Sequence, residues 1–515
     1  MQMQQSRWSR FSRTLLLAAI LCSGVEAGID SVNFSDTRGM SLGGAISASV
    51  DDAAAGSINP AALGFMARET ENNVDNNNLG EQNFGWNVVG VGAGATLTGD
   101  LGDYLEILGK IDFNNFDADQ LKQPGNVGNL ISLAGVLGNV GAGDTIVVNA
   151  SAGTAMQIGH FGIGVRVYGQ VGGWINDIDL VNLGLQIAVN EISAALEDAS
   201  GADPGFDPNG YTLETFNEEN IDALRDAFGG ALLDDDALHY LDYKATELIR
   251  ENDLDPDQIQ GVADTLVSMI ENSGGANGIL NNQTSIVGRG FGAVEVPVSY
   301  GYALNDNFSL GVTAKVLFGR VYGTQVWAFN DSNTEIIQDT LDSSNDSVAL
   351  GLDLAAMYRI PKWQFALVGH NLNSPRFDGY DQSVLLNGTN QVIHVPDVVL
   401  DPQVTLGAAW FPFKRFMLSS DFELLETDTL INGYDLQRLS FGTELDLSLV
   451  ALRLGTYKNL AESDYGWVLT GGLGLNLWAL SVDLGAAISI DDTVNYDGTD
   501  YPRTARLYAA VSLDF

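Results

Sequence analysis

The stretch over residues 434–515 alternates in hydropathy with a period of two, segment after segment. Leu480, Val482, Leu484, Ala486, Ile488 and Ile490 make one apolar row, with Ser481, Asp483, Gly485, Ala487 and Ser489 between them. Leu507, Ala509, Val511 and Leu513 stand likewise against Tyr508, Ala510, Ser512 and Asp514. Successive side chains of a strand point to opposite faces, so each segment reads as a strand with one apolar and one polar face. A soluble sandwich would also alternate. These segments run to roughly ten residues or more, the length that a tilted membrane strand needs. The last of them ends on Phe515 with no polar tail. The expected fold is all-β, a transmembrane antiparallel barrel.

The same signal recurs along the chain. It predicts strands over residues 84–97, 145–158, 161–175, 290–303, 308–321, 347–360, 363–372, 403–411, 416–426, 434–447, 449–457, 465–476, 479–490 and 503–515. That is about fourteen, an even number, as single-chain bacterial barrels have. The connections alternate between short and long, and barrels have short periplasmic turns and long extracellular loops. Both termini are therefore expected on the periplasmic side. The polar rows carry Arg166, Lys315, Asp353, Arg359, Asp421, Glu423, Arg438, Glu444, Asp446, Arg453 and Asp483. Charge facing lipid is costly, so these residues are expected to face the lumen. Trp86, Trp174, Trp363, Trp410, Trp467 and Trp478 lie toward strand ends, where an aromatic girdle belongs.

The N-terminus reads as a secretory signal peptide over residues 1–27: Arg7, Arg10 and Arg13, then an apolar run, then the small-residue site Val25-Glu26-Ala27. Export without a long apolar helix is compatible with a closed barrel, whose strands satisfy every backbone group. The one cysteine, Cys22, lies in that leader, so the mature chain offers no thiolate metal site and no disulfide. Net charge is −42, which repels nucleic acid backbones. The expected location is the outer membrane of a Gram-negative-type bacterium, with lipid and lipopolysaccharide as surroundings.

Five units follow: the signal, an N-terminal segment with linker over residues 28–82, barrel strands over 83–175, an insert over 176–289, and the remaining strands over 290–515. The insert shows helical rather than strand periodicity. Leu238, Leu241, Ala245, Leu248 and Ile249 share one face, as do Ile259, Val262, Leu266, Met269 and Ile270. It is expected to form several amphipathic helices packed together outside the membrane or over the pore mouth.

Motifs for catalysis and ligation are weak. Gly39-Met40-Ser41-Leu42-Gly43 matches a hydrolase elbow, but no α/β sheet is available to carry it. His370 beside Asn371 reads as a strand-end histidine. Asp253, Asp255 and Asp257 begin like a calcium loop, but Gln258 and Asp264 replace the glycine and glutamate it requires, and helix capping is the better reading. Neither an enzyme, a cofactor nor a metal site is expected.

Two regions resemble a known group. Residues 38–45, Arg-Gly-Met-Ser-Leu-Gly-Gly-Ala, with Asp51-Asp52-Ala53 and Asn59-Pro60-Ala61-Ala62-Leu63, resemble the luminal hatch of FadL-like outer-membrane barrels. Residues 296–318, 365–372 and 401–407 are similar to the TraF-like branch, named for plasmid-transfer operons. The resemblance implies a barrel whose N-terminal segment folds into its lumen. Arg38, Gly39, Gly43, Gly44, Asp51, Asp52, Asn59, Pro60 and Ala61 would be its hatch and gating residues. Asn59 would join the hatch backbone to the inner wall. FadL-type relatives pass hydrophobic molecules, so a small hydrophobic ligand and passive transport are the expected function. The alternative is a structural or interaction component of a conjugation or other envelope assembly, meeting protein partners through residues 176–289.

Overall fold

The computed structural model describes residues 36–66, 84–99, 101, 104, 107, 118–141, 144–176, 178–179, 182, 185, 187–229, 233–252, 259–274, 283–327, 344–386, 389–430, 434–462, 465–490, 493–496 and 499–514. The leader, the linker 72–78, the acidic run Asp253, Asp255 and Asp257, and the terminal Phe515 lie outside the described residues.

Fourteen antiparallel strands close into one barrel: β1 (Phe84–Leu97), β2 (Thr145–Ile158), β3 (Phe161–Asn176), β4 (Ser285–Ala303), β5 (Phe308–Trp327), β6 (Ser344–Ile360), β7 (Trp363–His370), β8 (Gln403–Phe413), β9 (Phe416–Glu423), β10 (Arg438–Asp446), β11 (Val450–Asn459), β12 (Val468–Leu477), β13 (Leu480–Ser489) and β14 (Thr504–Asp514). Each strand pairs with its chain neighbour, and β14 returns to β1 in the register Trp86↔Leu513 and Gly94↔Arg506. Every segment with period-two alternation became one of these strands. Their ends differ: β4 begins five residues before the expected Gly290, and β5 runs on to Trp327. Glycines at 288, 290, 319 and 323 blur the alternation there. Among the described residues, the long loops also hold four two-stranded sheets that hydropathy did not reveal, such as Tyr380–Leu386 with Thr389–Val395.

The outer surface is apolar. Phe318, Val348, Leu350, Leu454, Leu484 and Leu507 are exposed, Leu507 at 70%. Closure leaves no backbone edge for hydrocarbon to desolvate, and apolar side chains meet the lipid. This is the construction of an outer-membrane barrel. Trp174 departs from the expected girdle: it is buried against Val147, with the Arg289 guanidinium 5.3 Å from its ring centroid. Its position in β3 has inward parity, which outweighs its nearness to the strand end.

Among the described residues before β1 lie three short helices, α1 (Thr37–Ser41), α2 (Ala55–Ile58) and α3 (Pro60–Met66), all buried. In the long connections lie α4 (Pro124–Asn139), α5 (Val189–Ala202), α6 (Glu218–Ala227), α7 (Asp235–Asn252) and α8 (Ile259–Glu271). Their apolar faces make one core, including Val127, Ile131, Leu196, Phe228, Leu241 and Leu266. This helical unit is larger than the insert expected over 176–289, because α4 arrives from the β1–β2 connection. Glycines 128, 135 and 138 weaken the apolar signal of α4. Gly138 also lets it approach α8 closely: a Cβ there would collide with the backbone of Gly261.

Candidate functional site

The N-terminal segment sits inside the barrel, and its local structure follows from its motifs. Asp36 caps α1 by accepting hydrogen bonds from the N–H groups of Arg38 (3.2 Å) and Gly39 (2.9 Å). Gly43 and Gly44 adopt φ of +69° and +91°, turning the chain after α1. A Cβ on Gly43 would lie 2.6 Å from the Thr456 carbonyl oxygen, so only glycine fits against the wall there. Asn59 is extended, and its Oδ1 accepts from the Ala61 N–H at 3.0 Å. Pro60 follows as the first residue of α3. Asn-Pro-Ala thus reads as a capping residue followed by a proline at the helix start.

Few polar groups latch the segment to the wall. Arg38 grips Glu444 with Nε at 2.8 Å and Nη2 at 3.1 Å. Glu444 also accepts from Arg453 Nε at 2.6 Å, and Arg453 pairs in turn with Asp483. Asp421 Oδ2 accepts from the N–H groups of Ile46 (3.1 Å) and Ser47 (2.8 Å). Ser299 and Thr313 both donate to the Gly56 carbonyl, at 2.6 and 2.9 Å. Ser309 donates to the Ala61 carbonyl at 2.7 Å. Thr470 donates to the Ser41 carbonyl at 3.1 Å. Further ties are internal to the segment. Asp51 meets Arg38 at 2.8 Å, and Asp52 accepts from the Ala54 N–H at 2.8 Å. The Asn59 amide donates to the Ser47 carbonyl at 2.7 Å. Asn59 therefore fastens the hatch to itself, not to the wall as its polarity suggested.

Burial pushes the Asp36 carboxyl up to about 7, with repulsion from Asp52 adding to the rise and Arg38 opposing it. The Arg38 guanidinium is held well above its ordinary range: burial opposes its charge, and Asp51 and Glu444 more than compensate.

The residues expected in the lumen lie on the inner face, and most are paired. Arg166 meets Glu295 at 2.6 Å, and Lys315 meets Asp353 at 2.8 Å. Arg438 meets Glu423 at 2.7 Å. Arg359 stands 4.0 Å over the Phe65 ring of α3. Three members of this layer escaped sequence reasoning as site residues. Glu295 is the partner of Arg166, and it sits on the inward row of β4. His370 lies 3.2 Å from Asp353, and Asn371 accepts from Lys315 at 2.7 Å. Their place at the end of β7 was legible, but their lateral partners were not. A polar cleft remains between the hatch and this layer, lined by residues that include Gly44, Ser47, His370, Asp421, Glu423 and Arg438. Asp421 Oδ1 is buried there without a hydrogen-bond partner.

The wall beneath the hatch is different in character across β6 to β9. Ala355, Met357, Ala366, Val368, Ala409, Phe411 and Met417 face inward and are buried against the hatch residues Leu42, Ile46, Ile58, Leu63, Phe65 and Met66. Nothing in the alternation marked this lane, since its small side chains interrupt polar rows without announcing a surface.

Among solved structures, the chain is similar to the Ralstonia pickettii toluene transporter TbuX, at 11% identity over 94% of this chain and 99% of that chain, with a TM-score of 0.44. The Pseudomonas putida toluene transporter TodX matches at 11% identity, over 94% of this chain and 99% of that chain, with a TM-score of 0.43. A Pseudomonas aeruginosa FadL homologue matches at 10% identity, over 95% and 99%, with a TM-score of 0.43. No curated relative matches by sequence. Residues 57–422 match the family model described as "F plasmid transfer operon, TraF, protein". That span runs from the Asn-Pro-Ala capping motif through nine barrel strands, and on it this chain belongs to the TraF protein family of the F plasmid transfer operon.

Proposed function

We propose that this protein passes a small hydrophobic compound passively across the outer membrane, with the N-terminal hatch as the gate. The apolar lane on the inner wall of β6 to β9 carries the reading. A barrel for hydrated solutes has a polar interior. Here, moving the hatch uncovers methyl, thioether and ring surface, which favours an apolar cargo over a hydrated one. The polar latches around Arg38, Glu444 and Asp421 set how firmly the hatch is seated. In this reading the short turns face the periplasm, and the long loops and the helical unit face outward.

A cross-link tests the gate. A Cβ on Gly56 would lie 3.3 Å from Ser299 Cβ, close to disulfide spacing. The native chain holds only Cys22, within the predicted leader. Gly56→Cys with Ser299→Cys should stop uptake of radiolabelled toluene by cells making the protein when oxidised, and reductant should restore it. Uptake that continues with the disulfide formed rules out the hatch as gate. Uptake equal to that of cells lacking the protein rules out this cargo class.

A second reading is a component of an envelope assembly. The helical unit favours it, because that unit has a core of its own and is a body available to protein partners. Deleting residues 189–271 should then abolish assembly without affecting uptake.

A further inference from the structure

Six short turns link strands at one rim of the barrel, and Lys and Arg occur in only two of them. These are Pro361-Lys362, between β6 and β7, and Lys414-Arg415, between β8 and β9. The other four are Gly159-His160, residues 304–307, residues 447–449, and Trp478-Ala479. Because β6, β7, β8 and β9 are consecutive in the barrel, the two basic turns are neighbours. Lys362 Nζ donates to the Pro412 carbonyl at 3.2 Å, which ties one turn to the other. Lys362, Lys414 and Arg415 are exposed, in a chain whose net charge is −42. The neighbouring acid Asp446 has its carboxylate engaged by the Ser448 N–H at 2.7 Å. Asp306 lies on the adjoining turn, where its carbonyl accepts from Arg359.

An aromatic surface adjoins these cations on the lipid side. Trp363 and Trp410 are register partners on β7 and β8, and their rings stack with centroids 5.7 Å apart. Phe365 extends the stack at 6.0 Å, and Phe413 stands 71% exposed beside Lys414. Aromatic rings of this kind settle at head-group level, and Lys and Arg next to them reach lipid phosphate.

We propose that this corner of the rim is a binding site for an anionic phospholipid. Its acyl chains lie along Trp363, Phe365 and Trp410, and its phosphate meets Lys362, Lys414 and Arg415. The inference rests on the reading that the short turns face the periplasm, where the outer membrane presents its phospholipid leaflet. It does not depend on what the barrel transports.

Native mass spectrometry of the full-length protein, titrated separately with phosphatidylglycerol, phosphatidylcholine and lipid A, tests it. Phosphatidylglycerol should be retained in preference to phosphatidylcholine. Retention should fall about fivefold for each charge removed in Lys362→Gln, Lys414→Gln and Arg415→Gln. It should be unchanged in Arg320→Gln, an exposed arginine toward the other end of β5. Heat-modifiable gel migration of each variant confirms that the barrel has folded. Equal retention of the two phospholipids, or no loss in the triple variant, overturns the site. Preferential retention of lipid A, lost in the same triple variant, overturns the phospholipid assignment by showing that this rim faces the outer leaflet.

Discussion

The hatch and the helical unit are both made of helices packed in or beside the same barrel, yet different forces hold them. The hatch helices α1 to α3 have four to seven residues, too short to persist alone. Their apolar side chains are buried against the wall, and their charges are answered by Glu444 and by one another. The helical unit has helices of ten to eighteen residues and a core of its own, with Tyr240 and Phe228 fully buried. Its Asp242 gathers the N–H groups of Glu214, Thr215 and Phe216 and the Tyr211 hydroxyl, all from its own chain segment. The contrast teaches that the hatch draws its apolar burial from the barrel, with only polar ties of its own. The hatch residues pack on the barrel wall, whereas the helical unit packs on itself.

The largest expected effect separates the two by deletion. Removing residues 38–63 should raise single-channel conductance severalfold with heat-modifiability kept, because the barrel ladder does not depend on the hatch. Removing residues 189–271 should leave conductance at the wild-type level. Equal effects from the two deletions would break the comparison.

Next come single latches. Arg38→Ala leaves Glu444 and Arg453 buried beside an empty position, and breaking such a pair costs about 3–5 kcal/mol. Amide hydrogen exchange across residues 38–63 should accelerate, with none across 189–271. Asp242→Ala orphans several buried donors at about 1–3 kcal/mol each, and should do the reverse. Acceleration in both regions for either variant would mean that they form one cooperative unit.

The pH response should have opposite signs. Asp36 has a raised pKa in the seated hatch, so protonation favours seating. That stabilisation is fully present below about pH 4 and is lost as pH rises through about 7. Asp203 in the helical unit is the contrary case. Burial works against its charge, but hydrogen bonds from Lys244, the Gly205 N–H and Tyr240 hold it below the usual carboxylate range. Its contribution is present at neutral pH and is lost as pH falls below about 4. Conductance should therefore grow between pH 5 and 8, while exchange across the helical unit should grow between pH 6 and 3. A conductance that falls as pH rises would refute the Asp36 assignment.

The smallest effect belongs to Asn59→Ala. Its loss removes the cap on α3 and the tie to Ser47, worth about 1–2 kcal/mol. It should open the channel less than Arg38→Ala does, since it leaves the wall contacts in place. Conductance above that of Arg38→Ala would show that internal order of the hatch, not its latches, limits opening.

The alternation at Leu480 to Ile490 and at Leu507 to Leu513 was enough to place strands, because facing is a local property of an extended chain. The short turns were legible for the same reason, and with them the strand count. Helices α7 and α8 also announced themselves through their apolar faces. The Asn-Pro-Ala motif marked a special segment, though its role as a helix start emerged only with the backbone in view. The site was less legible. Charges such as Arg453 and Lys315 stood out on polar rows, but their partners lie on other strands.

By itself the sequence determined the barrel: its strands, its even count, its apolar exterior and its charged interior. These need only period-two alternation and turn spacing, which any single segment displays. Only the tertiary structure decided that Arg38 meets Glu444, 406 residues away, and that Asp421 receives the hatch turn. Only it joined α4 to α8 and laid the hatch over the alanines and methionines of β6 to β9. Those pairings depend on which strands become neighbours when the sheet closes and on what the lumen then has room to hold, and neither is a property of any segment alone.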